Sequence, residues 1–151
     1  MHHVTALDEL LNEFGFCRYA LTRTRVGHWR LMAELADQQL DVLLDTGAAS
    51  TVVDLGFCRD RGIALRETGK KGGGAGGVHL EIYALDDVQF CLGEIPLKSD
   101  GIYALDLSHV NQGLAKEGAE PAHAVLGADI LRYHQAVIDY ASGSLYLKPA
   151  D

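Results

Sequence analysis

From Cys17 onward the apolar residues of this chain recur at every second position, and that period constrains the fold more than any other feature. Residues 19–26 and 29–35 both alternate, as strands with one buried face must. Residues 36–39 form a polar turn, and Leu40-Asp41-Val42-Leu43-Leu44 returns as a third strand. Further strands are expected at 50–53, 78–85, 88–92 and around Val125-Leu126. A hairpin of 136–139 and 144–147, turned at Ser142-Gly143, closes the chain. Helical spacing is confined to short segments. In residues 5–14, Leu7, Leu10, Leu11 and Phe14 share one face, Thr5 and Asp8 resemble a capping box, and Gly15 is a stop. Residues 55–61, residues 108–117 and the few residues after Gly127 complete the helical set. The expectation is a mostly β domain with short helices.

At 151 residues the chain has single-domain size. Its composition, 48% hydrophobic and 23% charged, is that of a globular protein rather than a disordered one. No apolar run approaches the roughly 20 residues of a membrane span, and Met1-His2-His3-Val4 lacks the basic-then-apolar order of a secretory signal. Thirteen Lys and Arg against 21 Asp and Glu give a net charge of −8, which opposes docking on a nucleic-acid backbone. Neither nucleic acid nor membrane is expected as a partner. Cys17, Cys58 and Cys91 include no close pair, so they suggest neither a disulfide framework nor a zinc site. Free thiols in a reducing compartment point to the cytoplasm.

Few segments carry chemistry. Gly72, Gly74 and Gly77 match the spacing of a dinucleotide-binding loop, but that loop needs a helix after it, and an alternating strand follows here. Residues 70–77 cannot hold regular structure cheaply and read instead as a flexible hairpin tip. The seven histidines are scattered and form no ligand set. What remains is Asp45-Thr46-Gly47, at the end of an apolar strand. A carboxylate there is expensive to bury without partners, and Thr46 and Gly47 can supply a hydroxyl and closely approaching amides.

Leu43-Leu44-Asp45-Thr46-Gly47-Ala48 resembles the active-site signature of the retropepsin-like aspartic proteases. The stretch from Ala124 to Leu131, with Leu126 and Gly127 at its centre, is similar to that family's second element, an apolar strand, a glycine and a short helix. Residues 137–147 resemble its terminal hairpin. The resemblance covers roughly residues 18–148 in the right order, and residues 70–77 fall where the family carries its flap. It implies a single-domain retropepsin-like acid-protease β-barrel with one lobe per chain. Residues 1–16 would be an N-terminal helical extension, and 17–151 the protease domain. Ala49 departs from the hydroxyl or acid usual there, and 99–123 is longer than the minimal retroviral version.

Several roles follow from the resemblance. Asp45, Thr46 and Gly47 would be catalytic, Ala48, Gly74, Gly76, Gly77 and Val78 would bind substrate, and Leu126 and Gly127 would support the site. No metal or cofactor is implied. The reaction needs two carboxylates facing one water, and this chain has a single Asp-Thr-Gly. Asp129 suits the first turn of its helix and Asp139 the final hairpin. The expected enzyme is therefore a C2 homodimer sharing two Asp45 carboxylates, an aspartic endopeptidase acting on peptide or protein substrates. The alternative is a non-catalytic peptide-binding or scaffold module on the same fold.

Overall fold

The computed structural model describes residues 5–73 and 79–150. Helix α1 (Ala6–Glu13) begins as its sequence dictates, with the Thr5 hydroxyl accepting the Asp8 N–H at 3.1 Å, and ends before Gly15 at φ +86°. Its apolar face behaves differently from expectation. Leu11 is buried, whereas Leu7, Leu10 and Phe14 remain 40%, 49% and 61% exposed. The reason is a narrow footing: α1 touches strand β1 (Cys17–Ala20) and takes a 2.9 Å hydrogen bond from Tyr146 to Asp8.

Next come β2 (Thr22–Arg23), β3 (Trp29–Leu35) and β4 (Gln38–Leu44). The β3–β4 hairpin turns on Ala36 and Asp37, both at positive φ, and pairs from Trp29–Leu44 to Leu35–Gln38. Then follow β5 (Val52–Asp54), α2 (Leu55–Asp60), β6 (Arg66–Gly73), β7 (His79–Ala84), β8 (Phe90–Leu92), β9 (Ile95–Pro96), β10 (Tyr103–Leu105) and α3 (Ser108–Lys116). The chain finishes with β11 (Ala124–Leu126), α4 (Ala128–Tyr133), β12 (Val137–Asp139) and β13 (Ser144–Leu147).

The glycine-rich stretch corrects one expectation. Residues 70–73 extend β6 as regular strand, paired to β7 through Lys71–Glu81, Gly72–Leu80 and Gly73–His79. Cross-strand bonds offset the entropy that glycine loses there, and a register shift between Glu67 and Lys71 absorbs Gly69 at φ +72°. Residues 74–78, with the expected substrate-binding Gly74, Gly76, Gly77 and Val78, lie outside the described residues.

The larger sheet runs β6-β7-β10-β5-β11-β4-β3-β8-β9, with β2 against β3, and its path does not close on itself among the described residues. Two of its pairings, β10–β5 and β11–β4, are parallel, which brings distant segments side by side at its centre. A second sheet of order β1-β13-β12 holds the terminal hairpin. The main core gathers Leu35, Leu40, Val42, Leu44, Val53, Phe90, Leu126, Ile130 and Leu145. A smaller cluster of Leu43, Leu107, Leu114, Ala122 and Val125 occupies the opposite face of β4 and β11. His134 is fully buried between two backbone partners: its Nε2 accepts the Lys98 N–H at 2.9 Å, so its Nδ1 donates to the Lys148 carbonyl at 2.9 Å. All three cysteines are free, Cys58 buried and Cys17 exposed.

Candidate active site

The Asp45 loop is the end of β4 turned back on itself. Asp45 N–H donates to the Leu126 carbonyl at 3.0 Å, so the β4–β11 ladder persists one residue past the strand. Ala48 N–H then donates to the Asp45 carbonyl at 3.1 Å, closing the turn. Within it the Gly47 N–H donates to the Asp45 carboxylate at 2.9 Å. A Cβ at position 47 would stand 3.2 Å from that same oxygen, so glycine lets the amide approach. Asp45, Thr46 and Gly47 are exposed on the protomer, and Ala48 is half-buried.

Beneath the loop lies Gly127. Its backbone is so close that a Cβ would fall 2.7 Å from the Ala48 carbonyl oxygen and 2.9 Å from that of Ser50. The Ala128 N–H donates to the Ala48 carbonyl at 2.7 Å, which fastens the start of α4 to the loop. Asp45, Thr46, Gly47, Ala48, Leu126 and Gly127 are thus one assembly, built from segments about 80 residues apart in sequence and joined by the parallel β11–β4 pairing.

Thr51 was not singled out by its sequence. Fully buried, it accepts the Gly127 N–H at 2.9 Å and donates to Asp129 at 2.7 Å. Asp129 sits in the first turn of α4, where a helix N-terminus favours a carboxylate. Asp139 accepts from Ala141 N–H at 3.0 Å and from the Ser142 hydroxyl at 2.6 Å, bracing the β12–β13 turn. Both carboxylates already have structural partners of their own. Replacing Thr51 with Val keeps the shape and orphans the buried Gly127 N–H. The expected cost is about 1–3 kcal/mol, read from urea midpoints.

Charged and titratable groups flank the assembly. Buried Arg30 spends its guanidinium on Asp41 at 3.0 Å and on the carbonyls of Glu120 and Pro121 at 2.5 and 2.7 Å. Adjoining it is a cavity of about 670 Å³, lined by Arg18, Thr22, Arg25, Met32 and Glu120 among others but not by the Asp45 loop. His123, just before β11, stacks at 4.7 Å on Phe57 and accepts the Asp41 N–H on Nδ1 at 3.0 Å. Burial first, and the Arg61 guanidinium second, push its imidazole below the usual range.

A depressed folded-state pKa means the unfolded chain binds the proton more tightly. The stability contributed by neutral His123 is therefore present above the ordinary value of 6.5 and is lost as pH falls below it. Between pH 7 and 5 the wild type should lose more stability than His123→Asn, as measured by chemical denaturation at both pH values.

No protein-family model matches the sequence, and no curated protein matches it. Solved structures do. A retropepsin-like aspartic protease from Rickettsia conorii aligns with TM-score 0.57 at 16% identity, over 87% of this chain and 91% of that one. EIAV protease complexed with the inhibitor HBY-793 aligns with TM-score 0.52 at 23% identity, over 74% and 91%. The retroviral protease-like domain of Ddi1 from Leishmania major aligns with TM-score 0.53 at 14% identity, over 78% and 86%. The chain therefore has the mostly β, single-domain fold of the retropepsin-like aspartic proteases.

Proposed function

We propose that this protein is a homodimeric aspartic endopeptidase in which Asp45 of each protomer contributes one of two catalytic carboxylates. The observation that carries the reading is the Asp45 loop itself: an exposed carboxylate held by the Gly47 amide and fixed from below by Gly127. Two such carboxylates about 3 Å apart cannot both ionise, so the pair holds one proton. The ionised member takes a proton from a water whose oxygen attacks the scissile carbonyl carbon. The protonated member donates its proton to the carbonyl oxygen. In this reading Thr46 ties the two loops together, Gly47 orients the carboxylate, and Ala48 with Gly74, Gly76, Gly77 and Val78 contacts an extended peptide. The peptide gains strand-like hydrogen bonds from the β6–β7 hairpin. No metal or cofactor enters the chemistry.

Residues 1–16 are proposed as an extension to a domain spanning 17–151. Three free thiols suit a reducing compartment, so the cytoplasm is the proposed location. No described helix is long and apolar enough to cross a membrane. Digestion of a peptide library separates enzyme from binding module. Cleavage products support the reading, whereas tight binding without products replaces it with a scaffold role. Sedimentation should show a dimer at concentrations where peptides are cut, and a fully active monomer would contradict the shared site.

A further inference from the structure

Successive side chains of a strand point to opposite faces. Along β4, Val42 and Leu44 point into the main core. Leu43 points the other way, into the cluster with Val125, and Ala48, Val52 and Val110 pack against that cluster. Because the Asp45 N–H still bonds to Leu126, the alternation carries one residue further. On that alternation Asp45, two residues after Leu43, belongs to Leu43's side of the sheet, the face covered by Leu107 and, from α3, by Val110 and Leu114.

That cover is close and fixed. Leu43 and Val125 are only 8% and 6% exposed, so apolar surface beside Asp45 is already filled by the chain's own helix. Just before α3, the Leu107 N–H donates to Asp54 at 3.0 Å. In its middle, the Asn111 side chain accepts the Ala122 N–H at 2.8 Å and donates to the Ala122 carbonyl at 3.1 Å. Just after it, Glu117 meets His28 at 3.2 Å. A segment held at three points is a wall rather than a lid.

Resting on the aspartic-protease reading above, we propose that Leu107, Val110 and Leu114 set substrate specificity. They occupy the space that a large apolar side chain next to the scissile bond would need, and so restrict the residues flanking that bond to glycine, alanine or serine. One methylene in such a pocket changes selectivity about ten-fold or more.

The test is cleavage-site profiling of a peptide library by the full chain, the variants Val110→Ala and Leu114→Ala, and an Asp45→Asn control. The wild type should cut between small residues. Each truncation should raise cleavage beside leucine or phenylalanine, relative to alanine, by about ten-fold. Leu114 is buried, but Val110 is only half-buried, so Val110→Ala keeps the fold and decides the matter if Leu114→Ala does not. Asp45-dependent cutting beside large apolar residues by the wild type, or a profile unmoved by Val110→Ala, overturns the wall while leaving the protease reading intact. A silent wild type beside an active Val110→Ala variant also overturns it, because α3 would then block the site rather than shape it. No Asp45-dependent cleavage by any form overturns the protease reading and this inference with it.

Discussion

Asp45→Asn should lower kcat/KM for peptide cleavage by about three orders of magnitude and leave the protomer fold intact. General acid–base groups contribute about 10²–10⁴ to rate, and here one residue type supplies both roles. An amide cannot accept the proton of the attacking water, and two amides cannot hold the shared proton. The substitution is otherwise gentle. Asn keeps an oxygen that can accept the Gly47 N–H, which now meets the carboxylate at 2.9 Å. Position 45 is exposed, so unfolding free energy should stay within about 0.5 kcal/mol of wild type. Parallel assays of turnover and thermal unfolding check both halves. Unchanged turnover would remove Asp45 from the chemistry, and a collapsed melting curve would make its role structural.

Gly127→Ala should do the reverse, damaging the fold first and activity through it. The backbone of Gly127, at φ −109°, is one that alanine adopts freely, so the cost is steric. The new Cβ would stand 2.7 Å from the Ala48 oxygen, 2.9 Å from the Ser50 oxygen and 3.0 Å from the Ser50 carbonyl carbon. These are backbone atoms and cannot rotate away. Separating them stretches the Ala128–Ala48 bond at 2.7 Å and the Gly127–Thr51 bond at 2.9 Å together. Overpacking of this kind costs about 2–3 kcal/mol, which lowers Tm by about 5–10 °C in a domain of this size. The Asp45 loop rests on the displaced atoms, and a shift of about 1 Å is enough to cost about 10²-fold in rate. Gly113→Ala is the matched control. Gly113 lies inside α3 with nothing within 4 Å of an added Cβ, so alanine there should stabilise by about 0.5–1 kcal/mol. Equal melting temperatures for Gly127→Ala and wild type would refute the close packing beneath the loop.

Sequence made part of this arrangement legible because the relevant signals are local. Period-two patterning located the β3–β4 hairpin, and an apolar strand running into Asp45-Thr46-Gly47 located the loop. Gly127 stood out as a glycine between an apolar strand and a helix. Burial of Leu43 and Val125 by α3 could not be read in this way, since which face of α3 meets which strand depends on tertiary contacts. The Thr51–Asp129 bond spans 78 residues and carries no periodic signature. In α1 the pattern misled: four residues share an apolar face, yet among the described residues Leu11 is buried while Leu7, Leu10 and Phe14 stay exposed. Gly72 and Gly73 misled in the opposite sense, because pairing with β7 imposes strand geometry where intrinsic preference opposes it.

The claim that one active site is built from two chains can be measured in solution by mixing wild type with Asp45→Asn under conditions of subunit exchange. A shared site makes every mixed dimer inactive. Activity per wild-type chain should then fall to about half in an equal mixture, and to about a tenth with nine-fold excess variant, as random pairing requires. Activity per wild-type chain that stays constant at every ratio would show that each chain carries a complete site, and would contradict the account.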